Sequence, residues 1–252
     1  MREAPGNAGC LSARHRLQSV GEMAMPLTNC LNQAAPSRRH FFQSTFAAAL
    51  ISSSGAKAAG AEPNVLGPMP GYSPQIGTLV SEMTWMRDAV LRSVEGLTLD
   101  QVDFLLDNKA NRIGALLLHL AAAEKLYRLN TFDGVGLQQL EKGSAFKDWA
   151  VAMELGEPAR KTIKGHALDY YLKTLRDLRE NTLAELRKRD DRWLMLVDKT
   201  WPWGPTNNLC KWFYVCEHES HHDGQIGLLR VRVPGAPRTG QRRPLVVMPA
   251  SI

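Results

Sequence analysis

Residues 217–226 read Glu217-His-Glu-Ser-His-His-Asp-Gly-Gln-Ile226, and three of the chain's seven histidines fall inside them. At 3.6 residues per helical turn, His218 and His222 stand about 40° apart on one face and one turn apart. That spacing lets two imidazoles share one metal ion. His221 lies about 60° to the other side of His218, so an i, i+3 pair is geometrically open too. Either pairing requires an unbroken helix through the stretch. Upstream, Trp201 to Pro205 forces a turn, and Thr206 is placed to cap a helix that reaches about Leu229. Gln225 continues the histidine stripe, and Lys211 and Tyr214 precede it.

Two histidines rarely suffice, because a catalytic metal usually has three protein ligands and one open position. His119 is the natural third. It stands in Ile113-Gly-Ala-Leu-Leu-Leu-His-Leu-Ala-Ala-Ala-Glu124, an otherwise apolar helix expected over about residues 111–129. Ala115, Ala122 and Ala123 beside it leave space for a metal, a water and a substrate group. Alone, a histidine on such a helix reads as a hydrogen-bonded core residue; opposite a His-x3-His helix it reads as a ligand.

Two more helices complete the set. Ser73-Pro74 is an N-cap followed by proline at the first helical position, and Ile76, Leu79, Val80, Met83, Met86, Val90 and Val94 follow at helical spacing until Gly96. Leu168, Tyr171, Leu172, Leu175, Leu178, Leu183 and Leu186 mark another helix, over about 167–188. Between the second and third helices lies an irregular stretch, 133–165, broken by five glycines and Pro158. Connections of that length are often functional. The pattern predicts an all-α, four-helix bundle over 73–230, with 62–72 as a linker and 231–252 as a Pro/Gly/Arg-rich tail draped on the surface.

Ile113-Gly-x4-His119-Leu-Ala-Ala-Ala-Glu124, taken with His218-x2-His-His-x-Gly-Gln-Ile226, resembles the DinB/YfiT-like family of metal-binding four-helix bundles. The likeness follows the helix order over about residues 73–230. It implies a metal held by His119, His218 and His222, and helices running up-up-down-down. It further implies kinship with thiol-dependent S-transferases and isomerases that use low-molecular-weight thiols. The ion expected on such ligands is a divalent transition metal: Zn²⁺ first, with Ni²⁺, Fe²⁺ or Mn²⁺ as alternatives. The reaction expected is metal-dependent hydrolysis or thiol transfer on a small-molecule substrate. A non-catalytic, exported metal-binding bundle is the alternative. Glu124 and His221 are candidates for proton acceptor or supporting partner, and Gln225 and Tyr214 for orienting the bound group.

The charge balance points to export rather than to nucleic acid. Of the net charge of +6, a surplus of four lies within residues 1–61, where Arg38-Arg39 precede Phe41-Phe42 and the mild apolar run Phe46–Ile51. Small residues up to Ala61 follow. This resembles a twin-arginine signal, with cleavage expected after Ala61 or, second, Ala58, and with translation starting as late as Met23 or Met25. It implies periplasmic or secreted localisation and the twin-arginine export machinery as a partner. The apolar run is shorter than the ~20 residues of a membrane-spanning helix, so no stable membrane insertion is expected. Cys10 and Cys30 would leave with the signal. Cys210 and Cys216, about 9 Å apart along a helix axis, cannot bridge and read as small core residues. Trp149, Trp201 and Trp203 read as exposed aromatics that could serve a homodimer.

Overall fold

The computed structural model describes residues 65–237. The signal, its cleavage sites, and Arg238, Arg242 and Arg243 of the tail lie outside them. The described chain is mostly helical. Four long helices, α1 (Pro74–Val94), α3 (Ile113–Thr131), α7 (Leu168–Leu186) and α9 (Asn208–Arg230), carry the structure. Short elements join them: α2 (Leu99–Val102), α4 (Leu137–Lys142), a 3-10 turn (Ser144–Trp149), α5 (Ala150–Glu154), α6 (Gly156–Thr162), α8 (Asp191–Leu194), and the two-residue strands β1 (Val197–Asp198) and β2 (Thr206–Asn207). No described helix is long and apolar enough to cross a membrane.

Contacts between the long helices close a circuit: α1 packs on α9, α9 on α3, α3 on α7 and α7 on α1. The apolar stripes read from the sequence explain this. Ile76, Leu79, Val80, Met83, Val90 and Val94 of α1 are buried, as are Tyr171, Leu175, Leu178 and Leu186 of α7. Helix α3 is buried nearly all round, as its almost uninterrupted apolar sequence requires. Gly114 lets it come close: a Cβ there would sit 2.6 Å from the Tyr171 ring.

Several ends differ from expectation, each for a local reason. Ser73 does occupy the N-cap position of α1, but its hydroxyl does not bond the helix. It donates to Asp191 Oδ1 at 2.5 Å, and that oxygen itself accepts from the backbone N–H of Gln75 and Ile76. Helix α9 is capped by Asn207, one residue after Thr206, and the Asn207 side chain accepts from Cys210 N at 2.8 Å. The 133–165 connection is a run of short helices, with α5 packed on α3. The first tail residues are also built in: Arg230 donates to the carbonyls of Ser93, Glu95 and Pro237, and Val233 is buried.

Candidate metal centre

Helices α3 and α9 face each other and bring His119, His218 and His222 together, with one ligand atom from each lying within 4.8 Å of the others. His119 Nε2 and His218 Nε2 are 2.8 Å apart. The outer nitrogens of two rings are engaged by oxygen acceptors. His119 Nδ1–H donates to the carbonyl of Ala152 on α5 at 2.9 Å, and His222 Nδ1–H donates to Gln225 Oε1 at 2.9 Å. Each bond selects the tautomer whose Nε2 is a free lone pair, the form that a metal ligand needs. Gln225 then turns its amide N–H to His221 Nε2, also at 2.9 Å.

The electrostatics agree with a cation site. Burial, reinforced by the neighbouring rings, pushes the pKa of His218 down to about 2 and that of His222 to about 4, and burial lowers His119 as well. The three rings are therefore neutral near pH 7 and offer lone pairs rather than N–H⁺ groups. Three converging neutral imidazoles, two of them oriented by outer hydrogen bonds, fit a borderline divalent ion such as Zn²⁺. Among the described residues this group has three members.

The other candidates are placed differently. Tyr214 is half-buried one turn before His218, its ring stacked on the imidazole at a centroid distance of 5.3 Å. His221 is exposed and reaches the group only through Gln225. Glu124 requires a correction. It is fully buried, and both of its oxygens are taken: Oε1 accepts from Arg179 Nε and Thr182 Oγ1, and Oε2 from Arg87 Nη2 and Arg179 Nη2. Burial alone would raise its pKa, but the two guanidinium charges and these hydrogen bonds outweigh that and hold it at about 2. A carboxylate so committed is a structural anion rather than a proton acceptor.

Sequence reasoning missed that anion's partners. Arg87 from α1, Arg179 and Thr182 from α7, and Glu219 from α9 join Glu124 of α3 in one buried cluster that ties all four long helices. Glu219, one of the acids of α9, is 1% exposed. The signal was present, since Arg87 falls between Met83 and Val90 on the α1 core stripe, and Arg179 within that of α7. The Ala152 carbonyl had no side-chain signal at all. Trp201 is buried rather than exposed, and of the two cysteines only Cys216 is a core residue, Cys210 being exposed.

The sequence profile of the Mycothiol-S-transferase family matches residues 78–235, which include all four long helices save the first turn of α1, and all three histidines. No curated protein matches the chain. That match covers more than half of the chain, and the chain belongs to the mycothiol S-transferase family, a DinB/YfiT-like family.

Proposed function

We propose that this protein is a metal-dependent S-transferase that joins a low-molecular-weight thiol of the mycothiol kind to a small electrophilic acceptor. The observation that carries the reading is the meeting of His119, His218 and His222 within a chain that matches the family over 158 residues. His119, His218 and His222 would hold the divalent ion, which would lower the pKa of a bound thiol or water and so supply thiolate or hydroxide at neutral pH. The chain's own residues supply the rest. Ala152 O and Gln225 Oε1 keep His119 and His222 in the ligating tautomer. The Tyr214 ring covers one side of His218 and screens it from water. His221, exposed and tethered through Gln225, is the group placed to take up the thiol proton. The four long helices take the up-up-down-down order in this reading, with 133–165 as the long crossover.

The test is substitution with Co²⁺ followed by addition of a thiol. Transfer chemistry requires a thiolate-to-cobalt absorption band that is absent from the His119→Ala variant, and a thioether product when an acceptor is supplied. A spectrum unaffected by thiol, with hydrolysis of small esters instead, would move the protein to the hydrolase reading. Metal binding without either activity would leave the sequestering bundle.

The paired Arg38-Arg39 and the apolar run behind them support export as a second proposal. Export and thiol transfer make different demands, since reduced thiols are scarce outside the cytoplasm. Cell fractionation decides: Arg38→Lys with Arg39→Lys should hold an exported protein in the cytoplasm, and unchanged fractionation would refute the signal.

A further inference from the structure

Four aromatic rings form a closed set beside the histidines. Tyr127 lies 5.6 Å from Trp201 and 5.8 Å from Tyr214, and Trp203 lies 5.7 Å from Trp201 and 5.4 Å from Tyr214. Tyr214 in turn stacks on His218. Tyr127 and Trp201 are buried, whereas Trp203 is 56% exposed. Ring by ring, the set leads from solvent to a candidate metal ligand.

The loop that carries the exposed indole is closely bonded. Lys211 Nζ, buried under the loop, donates to Asn130 Oδ1 and Asp198 Oδ2 at 2.8 Å each and lies 4.3 Å over the Trp201 ring. Asp198 Oδ1 accepts from the N–H and hydroxyl of Thr200. The β1–β2 pairing closes the loop, and Gly204, at φ +101°, turns it by donating to Trp201 O. This bonding restrains the loop beneath a large aromatic side chain that remains in water, and an aromatic face has few rotatable bonds to order when it binds. A cationic ligand is disfavoured, because the Lys211 ammonium already occupies the Trp201 face.

We propose that the Trp203–Tyr214 face is the acceptor subsite, and that the acceptor is an uncharged molecule with a planar aromatic group. This rests on the S-transferase reading. With an aryl halide acceptor, the thiolate sulfur forms a bond to the ring carbon that bears the halogen, that carbon–halogen bond breaks, halide leaves, and the thiol proton passes by way of His221 to solvent.

The experiment has a binding arm and a transfer arm. Equilibrium dialysis of the metal-loaded protein with 2,4-dinitroaniline, an unreactive probe, should show binding that weakens about tenfold in Trp203→Ala and stays within about threefold in Trp203→Phe. Transfer to 1-chloro-2,4-dinitrobenzene should show KM raised about tenfold by Trp203→Ala, and KM for the small acceptor iodoacetamide raised by a smaller factor. No binding by the unaltered protein, or equal binding by Trp203→Ala, overturns the subsite. Trp203-dependent binding without transfer to either acceptor upholds the subsite and sinks the S-transferase reading. Transfer to both acceptors at KM values indifferent to Trp203→Ala does the reverse.

Discussion

Glu124 and Glu219 share a guanidinium: Arg179 Nη2 stands 3.1 Å from Glu124 Oε2 and 2.6 Å from Glu219 Oε1. These carboxylates come from α3 and α9, the two helices that supply the histidines. Arg87 braces both from the α1 side. The cluster therefore sets the α3–α9 spacing on which the histidine group depends. Arg179→Met leaves two buried carboxylates short of a partner, a change that costs about 3–5 kcal/mol. Unfolding in urea at pH 7 should show a loss of that size, with Tm falling by roughly 10 °C. A loss below about 1 kcal/mol would mean that the pairing is incidental.

The same cluster gives the protein an acid-sensitive component. Glu124 titrates at about 2 in the folded chain against 4.5 for a free glutamate. A carboxylate with a depressed folded pKa contributes stability fully above its unfolded value, and the contribution is lost as pH falls through the folded one. The window is therefore about pH 4.5 down to 2. Glu124→Gln should be less stable at pH 7 and should lose less further stability across that window. Parallel curves for the two proteins in urea titrations at pH 7, 4 and 3 would contradict this.

Gln225 tests how much the outer hydrogen bonds do for the metal. Gln225→Ala removes the acceptor of His222 Nδ1–H, and loss of such a bond lowers metal affinity roughly 10–100-fold. Gln225→Glu keeps an acceptor and should retain affinity, while His221→Ala should change it little. Competition with a chelator measures all three. Equal affinity in Gln225→Ala and the parent would show that packing alone orients His222.

Two glycines in long helices should respond in opposite directions. Gly227 of α9 has nothing within 4 Å of a built Cβ, so Gly227→Ala gains about 0.5–1 kcal/mol from backbone entropy alone. Gly114→Ala gains the same propensity but drives a methyl against Tyr171, which is fully buried and cannot retreat. Overpacking of about 1–3 kcal/mol outweighs the gain. Thermal melts should place the two variants on opposite sides of the parent.

What the sequence made legible is what depends on neighbours along the chain. The spacing of His218 and His222, the stripes of α1 and α7, and the burial of α3 are consequences of helical periodicity, and they stand where periodicity puts them. His119 was legible by its apolar surroundings. Glu124 was misread because its role depends on Arg87 and Arg179, 37 and 55 positions away in sequence and brought near only by packing. Trp201 and Trp203 could not be told apart for the same reason: one lies under the loop that Lys211 anchors, the other on top of it. Ser73 stands at the N-cap of α1 where the sequence puts it, but the hydrogen bonds to that helix start come from a distant residue, Asp191.

The bond from His119 to Ala152 has an evolutionary consequence. Its acceptor is a main-chain carbonyl on a short helix, so substitution at position 152 leaves the oxygen in being. The exposed positions of 133–165 can accordingly drift in side-chain identity while the segment still holds the imidazole, whereas Leu140, Phe146, Ala152, Ala159 and Ile163 are buried and need apolar side chains. A single inserted or deleted residue in α5 would rotate that carbonyl by about 100° and take it off the ring. In a saturation library the exposed positions of this segment should tolerate replacements while changes of length in α5 are rejected, the opposite of an ordinary surface connection.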